Sequence, residues 1–525
     1  MGTNRNSLKS KQESRFRKML CLAAAETDER ASKVKMKSKK LLEISEWLFL
    51  AATVLGCGMT LRVAIYQLRV PYQLNYEEGN ILNAAVRINQ GANPYPAIHP
   101  PVYVFNTYGP LVYYLISPLV KHFGPVFTFP RVVMCFAGLM VAVLIIALLR
   151  RTGISWKLGA SFGLVYLTLP VVQDWVYLLR VDLVGIVLTL AGLGVCWAIP
   201  RRWYLAAPLL VAAIFCKYSL IAAPAACCVF FALRKEWYKA AGLAASVGGP
   251  SLLLFLVLEK ATQGWFAFHM FRTHPDPYFF SQWTEMFLPA LGVHAVLVIL
   301  VMVLAVEDMR RHRVSLPMIY FSLATLMTLT GGKVGSDTNH LLEWLAALCL
   351  AAGLGYHALK HRIHAGWALA LLLAELSLVV LFTLPLELDV EPARDGCPEA
   401  YAYVNDHYGS HFLSENVGAI VLAGKPVTFS NPFVYWYLVK SSALSEDELA
   451  REVDARYYDA VLLGKDLNTL KMQPDALSYA SFLGALERNY HFVRQFKCTN
   501  ANFAYEPNSP SAGHTIPASQ SHHLL

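Results

Sequence analysis

FPRVVMCFAGLMVAVLIIALL, residues 129–149, followed at once by Arg150-Arg151, decides how the rest of the chain is read. Wound as a helix, this run rises about 30 Å, the thickness of a bilayer's hydrocarbon core. Arginines closing such a run belong at the cytoplasmic end of a span. Outward from it the pattern recurs. Segments 44–66, 158–172, 183–199, 203–216, 220–233, 240–258, 287–306, 316–330, 341–359 and 366–384 are also apolar. With the N-terminus inside, the clusters Arg201-Arg202, Arg234-Lys235, Arg310-Arg311-His312-Arg313 and Lys360-His361-Arg362 all fall on the cytoplasmic side. The expected fold class is an α-helical polytopic membrane protein with about eleven transmembrane helices.

Composition agrees. Of 525 residues, 56% are hydrophobic and only 15% charged, where soluble domains carry about 25% charge. The formal net charge of +9 comes from Lys and Arg at helix ends. No aromatic-interleaved basic motif accompanies it, so nucleic acid is not an expected partner. Residues 1–43 read as a basic, largely disordered cytoplasmic tail, with 14–25 lying on the membrane surface. The first apolar run starts too late and is too long for a cleaved signal peptide, so it is expected to stay as an anchor. Two outer loops are long. One is 67–127. The other is 259–286, with Trp265, Phe266, His269, His274, Pro275 and Pro277. Within the first, YGPLVYYLISPLVKHF (108–123) is apolar but short, carries two prolines, and is expected to lie in the outer interface.

After Pro385 the pattern changes. Segments 397–408, 432–441 and 445–457 look helical, the last starting with Ser445 and Glu448 in a capping-box arrangement. Segments 411–414, 425–430, 460–463 and 491–496 look like strands. Residues 385–506 are therefore expected to form a small extracytoplasmic α/β domain, and 507–525 a disordered tail. Cys397 and Cys498 bracket this domain, and in an oxidising compartment they would form one disulfide; two unrelated thiols is the other reading. No cysteine spacing suggests zinc.

Candidate chemistry gathers at the outer edge. Asn75-Tyr76-Glu77-Glu78-Gly79-Asn80 follows the first span. A carboxylate there could take the proton from an acceptor hydroxyl, though a solvated acidic pair is the commoner meaning of such a dipeptide. Neighbours on a helix point about 100° apart, so one of the two is expected to face the site. Arg180-Val181-Asp182 puts an acid at the membrane edge, where it is costly unless paired or functional; Asp174 is its rival. Lys217 in a tight hairpin suits a lipid phosphate or snorkels to headgroups. Lys333, Asn339 and His340, in a glycine-rich turn without Walker spacing, could contact phosphate or sugar hydroxyls; a plain turn with a helix cap is the equal alternative.

Tyr76-Glu77-Glu78-Gly79, the run Tyr108-Gly109-Pro110-Leu111-Val112-Tyr113-Tyr114-Leu115, Arg180-Val181-Asp182, Lys217-Tyr218-Ser219 and 333–340, in this order across residues 44–384, resemble the GT-C superfamily of integral membrane glycosyltransferases. The chain is similar to the protein O-mannosyltransferase, aminoarabinose transferase and RgtA/B/C/D-like families. The resemblance implies a polyprenyl-phosphate sugar donor, a lipid, glycan or protein acceptor, and catalysis on the extracytoplasmic face of the plasma (bacterial inner) membrane. The family's loop motif is usually Asp-Glu, and its catalytic Asp falls on Glu77, with Glu78 beside it as the alternative. The second acidic position falls on Asp182. Arg180 and Lys217 would stabilise the departing phosphate. The family is not uniform in metal use, so a divalent ion is left open.

Two other classes remain. A transporter or lipid-linked-sugar flippase keeps ionisable residues near mid-membrane, and Glu343, Glu375 and His294 are the ones here. A structural or sensor protein would use the outer domain for binding. The transferase reading makes a topological prediction. A topology reporter fused into the loop that follows Glu77 and Glu78 should be active outside the cell; activity only on the cytoplasmic side contradicts it.

Overall fold

The computed structural model describes residues 40–273, 276–359, 365–388, 396–473, 479–498 and 500–508. The tail before residue 40 (with segment 14–25), residues 274–275, the basic cluster at 360–362 and the tail from 509 lie outside them. Each expected span holds a helix. Among the described residues, however, only four helices are long and apolar enough to cross a bilayer alone: Lys40–Leu68, Thr128–Arg151, Trp237–Ala261 and Thr338–Leu359. A further pair, Phe280–Val293 and Ala295–Arg310, qualifies together but bends by 84°. The rest are shorter. Segment 158–172 is split at Leu169, because Pro170 cannot continue the ladder and disfavours helical backbone before it. Segment 203–216 starts as a 3₁₀ turn, Pro200–Leu205, and leaves the nine-residue helix Ala206–Ile214. Such a helix rises about 14 Å and spans nothing alone. The expected segments thus become full, bent and short helices mixed.

The bundle has two unlike ends. Arg234, Arg311, Arg313 and His357 line one cavity of about 1120 Å³, and Arg151 donates to the Ala198 carbonyl nearby. At the opposite end of Thr128–Arg151 sits Arg131, about 30 Å away by helix rise. Both ends of that span are therefore fixed by arginine, and the candidate residues belong to the Arg131 end.

Leu342–Leu359 runs through the middle of the bundle, every residue from Leu342 to Tyr356 buried. It is apolar all round, as a fully enclosed helix must be. Trp237–Ala261 is equally apolar but only 11% buried over its most apolar window; its exposed face is what a lipid-facing helix presents. The central helix lies against Ala295–Arg310 at Gly355, where a Cβ would stand 1.8 Å from the Leu300 carbonyl oxygen. Only a glycine permits that approach between backbones.

Above the Arg131 end, loop and C-terminal segments form one body. Helix Tyr76–Asn89 packs on Leu111–Phe123 and on Val417–Leu422. Ile81, Leu82 and Val112 share a core with Ala400, Ile420 and Leu462; Tyr103 and Phe105 share another with Phe429, Tyr435 and Leu486. The four-stranded sheet is β1 (Phe412–Ser414), β2 (Ala460–Leu463), β3 (Tyr490–Gln495) and β4 (Phe503–Pro507) in the order β1-β2-β4-β3. β1 and β2 are parallel, and β4 is antiparallel to both neighbours. The parallel pair requires a long crossover, supplied by helices Val417–Leu422, Pro432–Lys440 and Glu446–Asp454. Cys397 and Cys498 form a disulfide.

Three local readings change. Segment 425–430 is not a strand. It makes isolated bridges, Val427 to Phe412 and Phe429 to Tyr103, because it is wedged between β1 and the outer loop and Pro426 contributes no N–H. β4 has no counterpart in the sequence reading, since Ala504, Glu506 and Pro507 are poor strand formers. At Ser445 the side chain accepts from Asp447 N; the reciprocal capping box forms instead at Asn75 and Glu78.

Gly355→Leu should lower the thermal midpoint of the detergent-solubilised protein, at a cost of about 1–3 kcal/mol. An unchanged midpoint contradicts this packing.

Candidate active site

The two adjacent glutamates do different work. Asn75 caps Tyr76–Asn89, accepting from Glu77 N at 3.2 Å, and Glu78 reaches back to the N–H groups of Leu74 (2.7 Å) and Asn75 (3.2 Å). The Leu179 N–H adds a bond at 2.8 Å. Arg131 completes the set with a two-pronged contact, Nε to Oε1 at 2.9 Å and Nη2 to Oε2 at 2.7 Å. Both side chains of that pair are fully buried. Glu78 is therefore saturated and faces protein on every side. Arg131 also donates to the carbonyls of Gln67, Val70 and Tyr72.

Glu77 points elsewhere. The residue is 3% exposed, and two side-chain amides hold its carboxylate. Asn80 Nδ2 donates to Oε2 at 3.2 Å and Asn431 Nδ2 to Oε1 at 2.9 Å. Asn431 caps Pro432–Lys440 in a left-handed conformation, φ 52°, which turns its amide toward Glu77 while its Oδ1 accepts from Val434 N. Both amides orient the carboxylate.

Beside Glu77 lies a cationic cluster. Arg180 donates through Nη1 to Asn75 Oδ1 (3.0 Å) and through Nη2 to the Tyr108 hydroxyl (2.6 Å), and its guanidinium lies over the Tyr108 and Trp175 rings. Lys217 Nζ stands 2.7 Å from Asp182 Oδ1, and Asn339 Nδ2 donates to the same oxygen at 3.1 Å. Arg180 Nε and Asp182 Oδ2 face each other at 3.9 Å, and neither atom has a hydrogen bond among the described residues. That spacing accommodates one bridging oxygen. Asn80 Oδ1 is likewise buried without a partner. Orphaned polar atoms beside a buried carboxylate mark a place where a polar ligand completes the bonding.

The sequence candidates divide. Glu77, Asp182, Arg180, Lys217 and Asn339 come together. Glu78 is spent on Arg131. His340 pairs with Thr330 Oγ1 at 2.8 Å and stands within electrostatic reach of Asp182. Lys333 is exposed, and its backbone carbonyl accepts from Gln282 Nε2. His269, in the second outer loop, accepts from Asn106 N and bonds the Pro96 carbonyl. Burial holds its pKa down to about 4, so it is a neutral clamp. Among the described residues no three His, Cys, Asp or Glu side chains converge as metal ligands. In the bundle, Glu343 accepts from the Tyr320 hydroxyl (3.2 Å) and Glu375 from Val296 N (2.7 Å), capping the helix after the 84° bend. Arg131 and Asn431 were missed. For Arg131 the signal was present, a cation inside an apolar span. Asn431 carried none beyond standing before Pro432.

Known proteins supply the fold. No family model matches the chain, and no curated protein matches its sequence. Among solved structures it resembles ArnT from Cupriavidus metallidurans in the apo state, at TM-score 0.58 and 12% identity over 86% of this chain and 97% of that one. It resembles the Archaeoglobus fulgidus oligosaccharyltransferase, solved with Zn and sulfate, at TM-score 0.50 and 12% identity over 87% and 73%. The Cupriavidus ArnT bound to undecaprenyl phosphate aligns at TM-score 0.44 and 15% identity over 82% and 74%. The chain has the fold of the GT-C glycosyltransferases.

Glu78→Gln and Arg131→Met, made singly, each leave an uncompensated buried partner and should cost about 3–5 kcal/mol. Glu77→Gln should melt with the wild-type protein. A Glu78→Gln protein of wild-type thermal midpoint removes Glu78 from its structural role.

Proposed function

We propose that the chain moves a sugar from a polyprenyl-phosphate donor to a hydroxyl-bearing acceptor at the extracytoplasmic face of the bacterial inner membrane. The observation that carries this reading is Glu77: a buried carboxylate at one end of an apolar bundle, oriented by Asn80 and Asn431 and adjoining the Arg180–Lys217 cluster. The GT-C fold supports it. So does the basic opposite end, because basic ends of spans favour the cytoplasmic side, in keeping with an outer Glu77 and an inner N-terminus.

The chemistry is a substitution at the sugar's C1. The acceptor hydroxyl gives its proton to Glu77 as its oxygen bonds to C1. The C1–O bond to phosphate breaks, and the electron pair leaves with the polyprenyl phosphate. Arg180, with Nε uncommitted, meets the growing negative charge, and Lys217 adds a second positive charge that Asp182 holds in place. Asn339 fixes Asp182. In this reading Lys333 and His340 shape the turn.

Transport is the weaker alternative. Its natural groups, Glu343 and Glu375, already bond Tyr320 and the Val296 N–H. The test compares envelope lipids and glycans by mass spectrometry in cells expressing the wild-type or a variant protein. Glu77→Gln should lower the glycosylated product by about 10²–10⁴-fold at equal protein level, and Asn431→Ala should lower it by about tenfold. Full product from Glu77→Gln sinks the assignment of the base.

A further inference from the structure

The C-terminal sheet ends in a cavity of about 590 Å³ that the transfer step does not use. Its place follows from topology. β1 ends at Ser414 and is followed by Glu415; β2 ends at Leu463 and is followed by Gly464-Lys465; all five line the cavity. The two strands are parallel, whereas β4 on the other side of β2 is antiparallel. In open α/β sheets the crevice beyond the carboxyl ends of parallel strands is where ligands sit. The volume falls within the about 300–1,000 Å³ of small-molecule sites.

Its lining is mixed. Leu413, Phe482 and Leu483 are buried and apolar. Trp436 is half-buried and braced by Tyr479 and Phe482, with ring centroids 5.2 and 5.5 Å away. Polar groups gather at Gly464. A Cβ there would stand 2.8 Å from Glu415 Oε2 and 3.8 Å from Asn500 Oδ1, so the missing side chain is what lets that carboxylate and amide converge on the strand end. Burial pushes the Glu415 carboxyl up to about 7, against the pull of the Gly464 N–H. Lys465 and Lys497 also line the cavity and are exposed to solvent.

We propose that this cavity binds one ring of an anionic saccharide. Trp436 covers the ring's apolar face, Glu415 and Asn500 bond its hydroxyls, and Lys465 and Lys497 meet a carboxylate or phosphate on the sugar. A wholly apolar ligand would cover Glu415 and Asn500 and offer them no further hydrogen bond. Helix Pro432–Lys440 ties the cavity to the active site: Pro432 and Trp436 line the cavity, and Asn431, one residue before, donates to Glu77. As the seat of the acceptor, the cavity rests on the transferase reading; its binding of a sugar does not.

Binding is measured without turnover, by calorimetric titration of the full-length protein in detergent with glucose 6-phosphate, glucose and inorganic phosphate. Glucose 6-phosphate should bind at least about tenfold more tightly than either half. Trp436→Leu should weaken it by about tenfold. Because Trp436 also packs the domain, the exposed pair gives a second variant that leaves the fold intact. Lys465→Ala/Lys497→Ala should reduce glucose 6-phosphate to the affinity of glucose. Glu77→Gln should bind as wild type does, so intact binding with no transfer supports this site whatever becomes of the transferase reading. No saturable binding by the folded protein, equal affinity for glucose and glucose 6-phosphate, or indifference to the lysine variant each overturns the proposal, even in a protein that transfers sugar.

Discussion

The upper half of the molecule is organised around the buried pair Arg131–Glu78. A guanidinium one turn into an apolar span is costly unless every donor is met. Here both carboxylate oxygens and the carbonyls of Gln67, Val70 and Tyr72 meet them. The chain leaving the first helix must therefore wrap around Arg131 before it can enter Tyr76–Asn89. Glu78, capping that helix and bonding Leu179 N, fixes its rotation. The preceding residue lies about 100° around the helix, so the direction of Glu77 follows from the anchoring of Glu78. A buried ion pair thus sets the direction of the neighbouring carboxylate.

The second constraint is that the outer loop and the C-terminal segment share cores. Tyr103 donates to Glu452 at 3.1 Å, its N–H bonds the Thr428 carbonyl, and its own carbonyl accepts from Ser430 N. Gln73 accepts from Gly418 N, and its N–H bonds the Tyr401 hydroxyl. With these contacts the C-terminal segment is a wall of the same body, and its Asn431 reaches Glu77 across 354 residues of chain. An acid placed by the start of the chain is oriented by a side chain near its end. In the same way the cluster of Arg180, Asp182, Lys217 and Asn339 joins three loops, none of which could hold these charges out of water alone.

Much of this was legible in the chain. Apolar runs of span length, closed by arginines, specified a helical membrane protein, because hydrocarbon tolerates no unpaired backbone and few charges. The charges Glu77, Arg180, Asp182 and Lys217 at the ends of apolar segments stood out as a group in the chain, because charges beside hydrocarbon are costly, and the fold gathers them at one end of the bundle. Strands at 460–463 and the helix from Pro432 showed through local pattern alone.

Other features belong to the tertiary structure. Leu342–Leu359 and Trp237–Ala261 look alike in composition, yet one is the bundle's centre and the other faces outward. Segment 425–430 has strand-like residues but is claimed by two different neighbours. Glu77 and Glu78 are chemically equivalent in sequence, and what separates their surroundings is a bond to Arg131, 53 residues on, against bonds to Asn80 and Asn431. Hydropathy and charge act residue by residue, so the sequence carries them openly. Which polar atom meets which partner depends on distances between distant segments, and those exist only once the chain has folded.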